Sequence, residues 1–146
     1  MSYNPSNPIK TCVRSAATLP QSTQHALFTV SNGRVKIIDI VGEDTVVMGA
    51  VANDTKLIAN PDVGAGVDLC AVLDTANDAV GTQYNLSGTF ANPMYKAASG
   101  AFEGQANPFI VMPGTVDLHC ATNNTGEVGW LIRYEQLDPG AVVTAA

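Results

Sequence analysis

Basic side chains are scarce in this chain: seven Lys and Arg in 146 residues, against thirteen Asp and Glu. That excludes a nucleic-acid partner, because neutralising phosphates takes clustered cations and none of the seven are clustered. Charge of either sign is scarce too, at 14% of residues where about 25% is usual. A surface that poor in charge either meets another protein or is padded with small neutral residues, and this chain reads as doing both. Aromatics are only 6% of the chain, too few to furnish the exposed platform of a carbohydrate-binding module. The three cysteines are odd in number and form no CxxC, so Cys12, Cys70 and Cys120 are expected to be unbridged thiols of a reducing compartment. No apolar run approaches the roughly 20 residues of a membrane-spanning helix, so no membrane partner is expected. "MSYNPSNPIK" has neither a basic nor an apolar leader region, and the expectation is a chain made in a cytoplasm without a secretory signal. The sequons at Asn53, Asn85 and Asn123 then read as accidents of an Asn- and Thr-rich composition.

What is present is β-strand texture. Residues 1–24, "MSYNPSNPIKTCVRSAATLPQSTQ", hold three prolines and singly spaced apolar residues, with neither a helical nor a strand period. They read as an extended arm, able to span up to roughly 80 Å. Tyr3, Ile9, Val13 and Leu19 are its candidate interface residues, each suited to a separate pocket on a partner. Residues 25–146 read as a single domain, expected to stay folded when residues 2–20 are deleted. Short apolar runs follow one another there: "ALFTV", "RVKIIDIVG", "TVVMGAV", "TKLIAN", "VDLCAVLD", "TQYNLSG", "PFIVM", "TVDLHCAT" and "EVGWLIRYEQL". Asn32-Gly33 offers the positive φ of a hairpin turn, and "NPDVGAG", "DTANDAVG", "MPGT" and "TNNTG" supply further breaks. "FANPMYKAASGAFEGQANP" fits no strand and reads as a long loop with a short irregular helix. The fold class is therefore all-β: an antiparallel sandwich or barrel of about 8–9 strands with an extended N-terminal arm.

Alternation assigns the faces. Val128, Trp130, Ile132 and Tyr134 point one way, with Gly129, Leu131, Arg133 and Glu135 opposite. In "RVKIIDIVG", Val35 and Ile37 are out of phase with Ile38 and Ile40, which needs either a bulge near Ile37 or cover on both faces. The expected core comprises Val35, Ile37, Leu69, Leu73, Val116, Leu118, Trp130 and Ile132.

Chemistry-bearing residues are sparse. In "VDLHC" the period of two sends Val116, Leu118 and Cys120 inward and Asp117 and His119 outward. In "VDLCAVLD" it puts Val67, Leu69, Ala71 and Leu73 on one face and Cys70 on the other. Two candidate ligands, His119 and Cys70, fall short of the three or four that zinc needs. His25 and His119 sit in no HxH or HExxH pattern, and no GxSxG elbow, P-loop or GxGxxG is present. Asp39, Asp68, Asp74 and Asp117 are scattered along strands and read as solvated or turn-capping. The expectation is no catalytic, cofactor-binding or metal-binding residue, and no enzyme.

"HALFTVSNGRVKIIDIVGE", "GVDLCAVLD" and "PGTVDLHCATNNTGEVGWLIRYEQLDPGA" together resemble the small β-rich virion structural proteins of tailed bacteriophages, most closely their capsid decoration, or cement, proteins. The likeness lies in strand order and texture over roughly residues 26–141. It implies a location on the capsid exterior, the phage major capsid protein as partner, a homo-oligomer (often a trimer) and no catalytic residues. A tail or head–tail connector subunit, a free carbohydrate-binding β-sandwich and a cupin-type enzyme are the competing readings.

Overall fold

The computed structural model describes residues 7–146, and all regular structure in them is β-strand. In chain order the strands are β1 (Lys10–Thr18), β2 (Gln24–Ser31), β3 (Val35–Val46), β4 (Asp54–Pro61), β5 (Val67–Asp68) and β6 (Leu73–Asp74). They continue with β7 (Gln83–Asn85), β8 (Tyr95–Ala97), β9 (Phe109–Val111), β10 (Gly114–Cys120), β11 (Glu127–Gln136) and β12 (Val142–Ala145). Two antiparallel sheets result, as the alternating runs require. Sheet A has the order β1-β11-β3-β7-β8, with β9 beside β7 on the same flank of β3. Sheet B has the order β12-β2-β10-β4-β5, with β6 also on β4.

The core lies between the sheets. Ile37, Ile40, Trp130 and Ile132 come from sheet A, and Phe28, Leu57, Val116 and Leu118 from sheet B. Of the core expected from alternation only Leu73 is half-buried, packed against the rim of the cluster. Trp130 needs room across the sheet, and Gly42 gives it. A Cβ on Gly42 would stand 2.7 Å from the indole Cζ3.

Bulges reconcile the phase conflicts. Arg133 pairs with Asp39 and Tyr134 with Ile37, so Ile38 is left over as a bulge residue. The inward set accordingly changes from Val35 and Ile37 to Ile40, Gly42 and Asp44. A bulge, and not cover on both faces, explains "RVKIIDIVG". In β2 the skipped residue is Leu27, between Phe28↔Val116 and Ala26↔Asp117, so Leu27 and Phe28 both reach the core.

Several local expectations give way to tertiary structure. Asn32 (φ 64°) and Gly33 (φ 135°) do adopt positive φ, yet β2 belongs to sheet B and β3 to sheet A. The turn carries the chain between sheets and makes no hairpin. "TVVMGAV" is not a strand beyond Val46, because the chain there leaves sheet A to reach β4 in sheet B. "VDLCAVLD" is two short bridging pieces, β5 and β6. Between them Leu69 and Cys70 are both buried, so Cys70 does not face away from Leu69. No helix forms in 90–108, where Tyr95–Ala97 pairs with β7 instead.

The segment read as an arm is extended over Lys10–Thr18, but it is part of the sheet. It pairs antiparallel with β11 from Lys10↔Tyr134 to Thr18↔Glu127. Leu19, with 4% of its surface exposed, sits in the core and its N–H donates to the Gly126 carbonyl at 3.3 Å. β1 also lies against β12, which closes one side of the sandwich.

Candidate functional site

Register across sheet A builds a groove on its outer face. Val13 on β1 pairs with Leu131 on β11, which pairs with Val41 on β3, giving one apolar row across three strands. On one side of that row Arg133 grips Asp39 in a bidentate pair, with Nε 3.1 Å from Oδ1. The arginine keeps its proton more firmly there, because its guanidinium bonds to that carboxylate. On the other side Gly129 has no side chain, and β1 bulges opposite it, where Ser15 and Ala16 answer a single residue. The floor left open is a groove of about 510 Å³, bounded beyond Gly129 by Glu43 and Gln83. Val13 is 64% exposed at its edge.

The strongly perturbed acids point away from this groove. Asp44 is buried, and burial pushes its carboxyl up to about 7. Tyr84 Oη lies 2.9 Å from Asp44 Oδ2 and 2.6 Å from Asp78 Oδ2. Burial and these two acids drive the phenol far above its ordinary range. A phenol has one hydrogen, so both contacts are hydrogen bonds only if one carboxyl supplies a second proton. Lys96 Nζ donates to Asp78 Oδ1 at 3.0 Å. The chain of contacts therefore runs from Asp44 to Tyr84 to Asp78 to Lys96. It ties β3, the turn before β7, and β8 together.

The remaining candidates are structural in their contacts. Asp68 pairs with Lys56 at 2.9 Å, and Asp74 Oδ1 accepts the N–H groups of Asn53 and Ala76. Those two backbone bonds lower the Asp74 carboxyl from its usual value. Asp117 faces away from the core as expected, but it is buried beneath Gln24 and Asn60, which donate to its Oδ2 at 2.7 and 3.3 Å. Cys12, Cys70 and Cys120 are unbridged, and burial raises all three thiols, which keeps them protonated. Cys70 Sγ accepts the Leu57 N–H at 3.4 Å, and Cys120 lies 3.8 Å from Thr55 Oγ1. No group of three or more potential metal ligands occurs among the described residues. Asn53 and Asn85, two of the three sequon asparagines, are buried.

Of the four interface candidates, Tyr3 lies outside the described residues. Ile9 is exposed just before β1, and Val13 is on the groove. Leu19 is withdrawn into its own core and presents nothing to a partner. Val41, Leu131 and Gly129 were absent from that set. Their outward direction is visible in the alternation, but their adjacency to Val13 exists only once β1, β11 and β3 pair. Comparison with protein-family models, curated proteins and solved structures finds no match to this chain.

Proposed function

We propose that this chain is a non-enzymatic structural subunit that binds the outside of a phage capsid and reinforces contacts between capsomers. The outer face of sheet A carries the proposal: an apolar row flanked by a fixed ion pair, with Asp44 and Tyr84 turned inward into structural bonds. Such a face suits a broad protein contact, where apolar burial holds the partner and a polar rim sets its orientation. The resemblance to capsid decoration proteins supplies the partner, the major capsid protein, and the location on the virion exterior. Copies repeated over a symmetric shell would multiply a modest affinity per site. A free carbohydrate-binding module is disfavoured by Trp130, which is buried over Gly42 and offers no stacking surface.

The test is co-sedimentation of the full chain with undecorated shells of the major capsid protein encoded in the same genome. The chain should pellet with the shells, and Val13→Lys should weaken attachment at least about tenfold, as placing an unpaired charge in an apolar contact does. Binding to tail or connector assemblies in place of shells would move the protein to the competing virion reading. No binding to either would end the proposal.

A further inference from the structure

Opposite the side closed by β1 and β12, the sheets are joined by the Ala71–Pro93 bridge and by the Asp62 N–H donating to the Pro113 carbonyl at 2.9 Å, and a groove remains beside β9. There β9, bracketed by Pro108 and Pro113, pairs among the described residues with β3 alone, which leaves its other edge without a strand partner among them. Natural edge strands are usually guarded by charge or covered. This one carries Ile110, 55% exposed, and is followed by Met112, 54% exposed. A groove of about 300 Å³ separates it from the β4–β5 hairpin, whose tip residue Val63 is 90% exposed. Val111 is buried while Ile110 and Met112 point out, yet all three line the groove. The groove therefore follows the strand's free edge. Phe90, set edge-on to Phe109 at 5.3 Å, forms part of its wall, and no charged side chain among the described residues lines it.

We propose that this edge is a two-fold interface between copies of the chain, with β9 of one pairing antiparallel with β9 of the other about Ile110. Three observations select a second copy as the occupant. An antiparallel strand pair is itself two-fold symmetric, so one free edge is complementary to its own copy. The patch places a knob, Val63, beside a hole, the groove, and a self-complementary surface needs both. Charge favours this location: two copies at -6 each repel, and the described lining of this groove carries no acid, with Asp62 at its rim beside Val63 and Lys36 next to Ile110 across the strands. The exposed parts of Val63, Val67, Phe90, Ile110 and Met112 make up roughly 500 Å². Two copies thus bury roughly 1,000 Å², near the lower limit for a specific interface and fitting a weak dimer.

The experiment is sedimentation velocity on the free full-length chain from about 1 to 200 µM, the range in which so small an interface dissociates. No shell is present, so the outcome is separate from that of capsid attachment. A concentration-dependent dimer is expected. Ile110→Lys and Val63→Lys should each weaken it at least about tenfold, and Val80→Lys, an exposed control in another loop, should not. Both test positions are exposed, and thermal melts matching the parent chain would show the variants folded. Mild oxidation of Ile110→Cys should yield a cross-linked dimer that the parent chain does not form, because cross-strand neighbours lie within disulfide reach. A monomer throughout, a trimer, or a dimer indifferent to both lysines would overturn the proposal. Dissociation by the lysines without the cross-link would overturn the register about Ile110.

Discussion

Asp44 shows how much one proton does in this fold. Its carboxyl ionises near the ordinary 3.8 when unfolded and at about 7 when folded. Between those values the folded chain holds a proton that the unfolded chain has lost, so this residue makes stability fall as pH rises from about 4 to about 7. The limiting slope is about 1.4 kcal/mol per pH unit, and the contribution levels off above about 7. Asp44→Asn keeps a donor toward Tyr84 and removes the ionisation. It should abolish that decline and stabilise the protein at pH 8, measured by urea unfolding at pH 5 and pH 8. Parallel pH profiles for the two proteins would show that Asp44 is not held neutral. Trp130 sets a second residue-scale expectation. It packs between Tyr84, 6.4 Å away in a stacked arrangement, and the bare backbone of Gly42. Trp130→Ala should cost about 3–5 kcal/mol, as large-to-small core changes do. Gly42→Ala should cost about 1–3 kcal/mol by pushing the indole aside. Equilibrium unfolding that moved by less than about 0.5 kcal/mol would place Trp130 outside the core.

At the scale of elements, β1 decides what truncation does. As a free arm, residues 2–20 would be dispensable to folding. Paired with β11 and anchored by Leu19, they are not. Deletion of 2–20 should expose the β11 edge, leave a void where Leu19 packs, and lower the melting temperature sharply or prevent folding. Leu19→Ala alone should cost about 2–5 kcal/mol, while Val13→Ala on the exposed face should stay within about 0.5 kcal/mol. A truncated chain that melts like the full one would mean that β1 is only laid on the sheet. Bulges act at this scale too. Ile38 resets β3, so that one strand presents Ile37 and Ile40 to the same core despite an odd spacing.

For the whole molecule, the chain crosses between sheets from β1 through β4 and again from β10 through β12. β1, β3 and β11 lie in sheet A, while β2, β4, β10 and β12 lie in sheet B. Most pairings therefore join residues far apart in sequence, such as Cys12 with Ile132 and Val142 with Ser31. Closing such loops before their contacts form slows folding, which for sandwiches falls roughly between milliseconds and seconds. Trp130, the single tryptophan, lies between the sheets and reports their docking. Stopped-flow refolding followed by its fluorescence should show its main phase in that slow range. Complete recovery within about 100 µs, the pace of local helical folding, would contradict the topology.

The period-two pattern by itself determined the all-β class, the inward direction of Val116, Leu118, Cys120, Trp130 and Ile132, and the outward one of Leu131 and Arg133. Turn chemistry determined positive φ at Asn32 and Gly33. These are properties of a residue and its near neighbours, so a linear reading reaches them. Tertiary structure alone decided that Asn32-Gly33 joins two sheets, that Lys10–Thr18 and Val142–Ala145 are strands, and that Leu19 belongs to the core. It alone brought Val13, Leu131 and Val41 into one row and set Asp44 and Asp78 on either side of Tyr84. The reason is physical: alternation says which face a side chain takes, while pairing depends on contacts between distant segments. A bulge such as Ile38 or Leu27 changes the face itself, and only the partner strand fixes where it falls.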